Sequence, residues 1–143
     1  LPSSVLLASI PYACLVTTVL MGKHIDKMPW DSNANIHTLP VILGNERSRQ
    51  LTVLLMGAFY VSIAGLALSG SLDAWALIAF AALPAFVKAA RTLRQPKPAE
   101  PPRNYPLWPL WYGPWAFVHA RNAGAFFLVG LAIGAIWPVT LRL

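Results

Sequence analysis

Four long apolar segments, separated by two polar stretches, set the pattern of this chain. A helix that crosses the hydrocarbon layer needs about 20 mostly apolar residues. Residues 50–72 and 123–141 meet this requirement without a single charge, while 5–21 and 74–87 are interrupted by Pro11 or are shorter. The pattern predicts four membrane helices, at about residues 3–22, 48–69, 72–93 and 117–140.

Composition supports the same fold class. Hydrophobic residues make up 57% of the chain and charged residues only 11%, and the mean hydropathy is +0.56. A soluble domain carries about 25% charged residues, so a soluble monomer and a disordered chain are both excluded. Cys14 is the sole cysteine, which excludes an internal disulfide. We therefore expect an all-α, polytopic transmembrane bundle that forms one membrane domain over residues 1–143.

The cations predict how this bundle is oriented. Residues 22–50 and 88–122 carry ten of the 11 lysines and arginines, and Arg142 carries the other. Because positive loops stay in the cytoplasm, we expect loops 23–47 and 94–116 there, with both chain termini outside. The net charge of +6 then indicates contact with anionic membrane lipid, and no nucleic-acid partner is expected.

Loop 94–116 combines proline with aromatic residues. Seven of the chain's 13 prolines lie between residues 95 and 115, so this segment is not one helix. Its aromatic residues form either a belt at the level of the lipid headgroups or a lid over an active site that faces lipid. After it, His119 and Arg121 are predicted to anchor the last helix at the interface, and Gly130 and Gly134 have the spacing for close helix packing.

Loop 23–47 holds the candidate chemistry. Its two acids, Asp26 and Asp31, are suited to Mg²⁺, which prefers oxygen ligands and retains waters. We expect Pro29 to break the helix between them, so that the two carboxylates converge. The basic side chains that could neutralise a phosphate nearby are Lys23, His24, Lys27 and His37. The alternative is a solvated loop whose charges only keep it out of the lipid.

The stretch from Asp31 to Gly44 resembles the second aspartate motif of the UbiA superfamily of intramembrane prenyltransferases. That motif has two Asp separated by three residues, then a Gly-Ile-Arg-Thr-Leu-Pro-Val-like run that ends in Leu-Gly. This chain has Asp31, then Asn-Ile-His-Thr-Leu-Pro-Val at 35–41, then Leu-Gly at 43–44. One helix before this loop and three after it match the C-terminal half of a nine-helix fold of this type. The sequence at 121–124 also resembles the start of the ninth helix of the superfamily.

The resemblance implies an activity and a site. The protein would transfer a polyprenyl group from its diphosphate to an aromatic or tetrapyrrole acceptor, as in quinone or chlorophyll biosynthesis. Asp26 and Asp31 would be the catalytic residues and the Mg²⁺ ligands. Lys23, Lys27 and His37 would contact the substrate diphosphate.

Three departures from the motif leave a second function open. No acid precedes Asp26, so the first aspartate motif of the superfamily is missing here. Lys27 occupies the position of the partner of Asp31. Asn35 and His37 replace Gly and Arg, although Asn tolerates a left-handed turn better than most residues. The chain could therefore be a non-catalytic subunit of a larger photosynthetic or respiratory membrane complex. A start at Leu1 without Met indicates part of a longer protein and favours the enzyme. The gene sequence upstream of Leu1 would decide between the enzyme and the non-catalytic subunit.

Overall fold

The computed structural model describes residues 3–141, and Arg142 lies outside this range. The elements are α1 (Ser3–Asn33), α2 (Leu39–Leu43), α3 (Asn45–Leu68), a 3₁₀ helix (Ala74–Ala82), α4 (Leu83–Arg94) and α5 (Tyr112–Ile136). Within the described range there is no β-strand. Four segments are long and apolar enough to cross a membrane: α1, α3, the 3₁₀ helix continued by α4, and α5. The predicted all-α transmembrane fold is therefore confirmed.

The first helix is longer than predicted. It does not end at residue 22 but continues to Asn33, with Pro29 inside it. Met21 and Ile25 are buried and Met28 is half-buried, so a helical apolar face continues past the polar residues. Proline removes only one intrahelical hydrogen bond, which helices of membrane proteins tolerate. The expected break at Pro29 is wrong, and the predicted loop 23–47 is largely helical.

A tight turn and a short helix connect α1 to α3. The Ile36 N–H donates to the Asp31 carbonyl at 2.8 Å, which closes the end of α1. Asn35 then takes a left-handed φ of 55°, as expected where Asn replaces Gly. In α2, the buried Pro40 lies in the first turn, a position that requires no N–H.

The third span begins as a 3₁₀ helix, and the spacing of its buried alanines matches this geometry. Ala76, Ala79 and Ala82 are all buried, and every third residue lies on one face of a 3₁₀ helix. This face packs against the glycines of α5. A Cβ at Gly130 would collide with the Trp75 carbonyl, and a Cβ at Gly134 would lie 2.7 Å from Cγ of Asp73. The close packing that this glycine pair predicted is therefore present.

The last helix begins at Tyr112 rather than at 117 and ends at Ile136 rather than at 140. Pro114 lies in the first turn, where a missing N–H costs nothing. At the other end, Pro138 disfavours helical backbone at the residue before it. Segment 95–111 contains no helix, in agreement with its proline content.

The core joins the four spans, and a polar pair lies within it. Tyr60 of α3 packs edge to face against Phe59 and Phe80. Its hydroxyl lies 3.0 Å from Nε2 of His119 on α5. His119 is fully buried, so the prediction that it anchors the helix at the interface is wrong. A hydrogen bond between helices stabilises such a polar pair inside an apolar bundle.

Candidate functional site

Asp26 lies on α1 and holds the beginning of α5. Its Oδ1 accepts the Tyr112 N–H at 3.0 Å. Its Oδ2 accepts the N–H groups of Trp111 at 3.0 Å and of Gly113 at 2.8 Å. The first N–H groups of a helix have no partner within the helix, and a negative charge at this end is stabilising. Asp26 thus caps α5 from a neighbouring helix, and three donors already occupy its carboxylate.

Two glycines make this contact possible. A Cβ at Gly22 of α1 would lie 3.0 Å from Cα of Gly113, and a Cβ at Gly113 would lie 3.1 Å from Oδ2 of Asp26. Both distances are shorter than ordinary van der Waals contact. The absence of side chains at these positions therefore allows α1 and α5 to approach until the carboxylate reaches the backbone.

Asp31 has a different environment. It is only 3% exposed, yet its Oδ2 lies 3.4 Å from both Nδ1 of His24 and Oγ1 of Thr38. Contacts of this length are weak compared with a charge-assisted hydrogen bond of about 2.8 Å. His24 precedes Asp31 by two helical turns and lies on the same face. Asp31 is therefore a buried carboxylate that retains most of its capacity to accept further bonds.

The two aspartates point in different directions. Five residues along an α-helix correspond to a rotation of about 140° around its axis. Because α1 continues through Pro29, the convergence of Asp26 and Asp31 that depended on a break there does not occur. In the described part of the chain, no group of three or more His, Cys, Asp or Glu side chains could hold a metal ion.

The predicted basic residues are also separated. Lys23 lies beside Asp26 in the lining of one cavity. Lys27 is exposed, and its Nζ lies 4.9 Å from the centroid of the Trp30 ring rather than in an ion pair with Asp31. His37 is exposed in the turn before α2. The structure therefore places Lys23 with Asp26, and His24 and Thr38 with Asp31. Thr38 was not singled out from the sequence, although it belongs to the Thr-Leu-Pro run of the motif.

An apolar groove runs along α1 and α5 and has two cations in its lining. Its volume is about 460 Å³. The residues that we use to define this α1–α5 groove are Val19, Lys23, Leu107, Leu110, Phe117 and Arg121. It continues into a second cavity of about 290 Å³ that reaches Tyr12 and shares Val19, Phe117 and Arg121 with the first. From Tyr12 to Lys23 the helix rises about 16 Å, so the groove can hold a long apolar chain with an anionic end group.

The loop between α4 and α5 forms one wall of this groove. Lys97 donates to the Pro109 carbonyl, and its Nζ lies 4.4 Å from the centroid of the Trp108 ring. The Tyr112 hydroxyl donates to the Gln95 carbonyl at 3.0 Å. Burial raises the pKa of the Tyr105 hydroxyl above its usual 10.0, and the negative charge of Asp26 raises it further. The loop is thus ordered against the same helix ends that Asp26 connects.

The donor atoms around Asp31 include two oxygens, fewer than Mg²⁺ needs from the protein alone. The converging atoms are a carboxylate oxygen, the Thr38 hydroxyl and the His24 ring nitrogen. Mg²⁺ in proteins commonly binds one or two carboxylates and completes its coordination with waters and substrate phosphates. The residues present therefore suit the ion only together with a phosphate ligand. At Asp26, by contrast, three backbone N–H groups already take up most of the acceptor sites of the carboxylate.

Comparison with known proteins identifies the family. No curated protein and no solved structure matches the chain significantly. The sequence profile described as the UbiA prenyltransferase family, however, matches residues 1–119, which include α1, α2, α3, α4 and the start of α5. The chain therefore belongs to the UbiA prenyltransferase family.

Proposed function

We propose that this chain forms the C-terminal half of a prenyltransferase that moves a polyprenyl group from its diphosphate to an aromatic or tetrapyrrole acceptor. Such a reaction would serve quinone or chlorophyll biosynthesis. The observation that carries the proposal is the α1–α5 groove, which combines an apolar lining with two cations, Lys23 and Arg121, and one acid, Asp26. The carboxylate of Asp26 accepts backbone N–H groups at the start of α5. The helix that forms one side of the groove also carries the buried Asp31. A groove of this kind suits a substrate with a long apolar tail and a strongly anionic head.

The chemistry follows from the lining residues. The bond between the allylic carbon and the diphosphate oxygen breaks, and its electron pair leaves with the diphosphate. Lys23 and Arg121, which line the groove, would neutralise the departing charge, a form of electrostatic stabilisation. The apolar walls of the groove would shield the resulting allylic cation from water. An acceptor atom then forms the new bond to carbon and loses a proton.

The proposed metal site centres on Asp31. Asp31 and Thr38 would hold Mg²⁺ together with substrate oxygens, and the bound ion would supply charge neutralisation to the diphosphate. Asp26 was predicted as the second ligand. Its three backbone donors support a positioning role instead, because capping α5 fixes the helix that carries Arg121. Lys27 and His37, which are exposed, would contact the diphosphate only at its outer edge.

The test is to replace Asp31 with Asn in membranes that contain the full-length protein. Asn keeps the shape of the side chain but removes its negative charge. We expect transfer from a radiolabelled polyprenyl diphosphate to fall about 100-fold or more, because a metal site contributes several kcal/mol to such a reaction. Membrane insertion and melting temperature should stay close to wild type. Wild-type transfer by the Asp31→Asn variant would overturn the proposal.

A non-catalytic UbiA-like subunit of a larger photosynthetic or respiratory membrane complex is the alternative. The observation that favours it is Lys27, which occupies the place of an acid partner and packs on Trp30. Lys27→Ala separates the two functions. If Lys27 assists an enzyme, turnover falls while the amount of protein in the membrane stays constant. If the chain is a subunit, the variant loses its association with the larger complex, and no prenyl transfer is detected in the wild type either.

A further inference from the structure

A second groove lies between α3 and α4, outside the proposed transfer site. Its volume is about 630 Å³. Its walls are apolar and consist of Val53, Leu54, Gly57, Ala58, Val61 and Phe86. At one end it shares Gln50 and Arg94 with a smaller cavity of about 90 Å³, which Arg49 and Glu46 also line. We call this combined feature the α3–α4 groove. Neither Asp26 nor Asp31 lines it.

The dimensions of the α3–α4 groove match one lipid chain in one leaflet. From Gln50 to Val61 the helix rises about 16 Å, and half of a bilayer's hydrocarbon thickness is about 15 Å. Leu54 is 67% exposed and Val61 is 73% exposed, so the trough opens outward. A Cβ at Gly57 would meet nothing within 4 Å. This leaves space along the side of α3 rather than a contact between helices.

The polar end of the groove has an excess of positive charge. Arg49 is held in place, since its Nη1 donates to the Leu93 carbonyl at 3.1 Å and its guanidinium carbon lies 5.6 Å from the centroid of the Tyr112 ring. Its buried Nε has no hydrogen-bond partner among the described residues. Arg94 is exposed at the end of α4. The one acid here, Glu46, accepts a hydrogen bond from the Gln50 amide at 3.3 Å.

We propose that the α3–α4 groove binds an anionic phospholipid. Its phosphate lies between Arg49 and Arg94, where a planar guanidinium can donate two hydrogen bonds to phosphate oxygens. One acyl chain runs along α3 past Gly57 toward Val61. Charge complementarity at one end and a leaflet-length apolar trough at the other select a lipid over a peptide helix, which would need a wider face. This site does not depend on the proposed transferase function.

The first part of the test removes the positive charge of Arg94 at the polar end of the groove. Full-length protein is reconstituted in vesicles of equal amounts of phosphatidylglycerol and phosphatidylcholine, extracted mildly, and its retained lipids are counted by native mass spectrometry. Arg94→Gln should lower the preference for phosphatidylglycerol about fivefold, which corresponds to the attraction of one arginine near an anionic surface. Arg91→Gln is the matched control, because Arg91 is exposed on the same helix but does not line the groove. Equal losses in the two variants would overturn the proposal in favour of a general surface charge effect.

The second part of the test fills the trough. Gly57→Leu should reduce lipid retention to the level of Arg94→Gln, since the new side chain takes the place of the acyl chain. Gly65→Leu is the matched control. A Cβ at Gly65 would also meet nothing within 4 Å, but Gly65 lies outside the groove. If Gly57→Leu abolishes a dimer and leaves lipid retention unchanged, the occupant is a second copy and the proposal fails. It also fails if added farnesyl diphosphate displaces the retained lipid. Should Gly57→Leu not insert, the arginine variants decide alone.

Discussion

At each of the two ends of the bundle, an aspartate carboxylate accepts backbone N–H groups. At one end Asp26 accepts three, from residues that begin α5. At the opposite end Asp73 accepts the Trp75 N–H at 2.9 Å, which starts the 3₁₀ helix, and the Val139 N–H at 2.7 Å, which fixes the segment after α5. Each carboxylate thus satisfies N–H groups at chain ends that the helices themselves leave without partners.

Asp31 differs from both of them, although it lies on the same helix as Asp26. Its carboxylate has two side-chain contacts of 3.4 Å, while the donors to Asp26 and Asp73 lie at 2.7–3.0 Å. Short backbone donors occupy a carboxylate permanently, whereas long contacts can be exchanged for a stronger ligand. The donors around each acid, rather than its place in a motif, therefore separate Asp26 and Asp73, which hold chain ends in place, from Asp31, whose capacity to accept hydrogen bonds is largely unused.

Replacing Asp26 with Ala should have the largest effect on stability. Three N–H groups would lose a charged acceptor, and each hydrogen bond to a charged group contributes about 1.5–3 kcal/mol. Because such contributions do not add fully, we expect the free energy of unfolding to fall by about 3 kcal/mol. The measurement is denaturation in mild detergent, with Asp31→Asn as the control that should unfold like the wild type. If Asp26→Ala and the wild type have the same free energy of unfolding, Asp26 is not a structural carboxylate and does not differ from Asp31 in this respect.

The effect of Asp73→Ala should be smaller. Asp73 has two N–H donors and is partly exposed, so water can replace part of what is lost, and removal of a helix cap costs about 1 kcal/mol. The change should be local. Hydrogen exchange at the Val139 amide should become faster, while the amides of Tyr112 and Gly113 at the other end remain protected. Faster exchange at both ends would indicate that the two caps are not independent.

The membrane helices were the part of the fold that the sequence could predict, because the hydrocarbon layer constrains them. Apolar runs of spanning length gave the four membrane helices because every backbone polar group must be bonded inside the hydrocarbon layer. The helix ends were less predictable. The early start of α5 at Tyr112 coincides with three hydrogen bonds to Asp26, whose donors lie 85–87 positions further along the chain. No local pattern shows such a contact.

In the candidate site, too, some residues could be predicted from the sequence and others could not. Asp31 could be selected from the sequence because the motif surrounds it with an unusual contiguous string. The role of Asp26 could not, because its partners are backbone N–H groups, which every residue except proline carries. His119 was assigned to the interface as a polar residue near a helix end. Only the three-dimensional packing brings Tyr60 within 3.0 Å of it and allows the pair to be buried.

The smallest predicted effect is a pH dependence at Tyr105, next to the Asp26 cap. Burial raises the pKa of its hydroxyl above 10.0, and the Asp26 carboxylate adds to this. Above pH 10 the unfolded chain therefore releases this proton while the folded protein retains it. The folded state then binds more protons, so the free energy of unfolding falls as the pH rises.

Tyr105→Phe should remove part of this loss without lowering stability at pH 7, because the Tyr105 hydroxyl is buried with no hydrogen-bond partner among the described residues. Denaturation at pH 7 and pH 11 in wild type and variant measures the difference. An identical loss of stability in both proteins would show that Tyr105 ionises as freely in the folded state as in the unfolded chain.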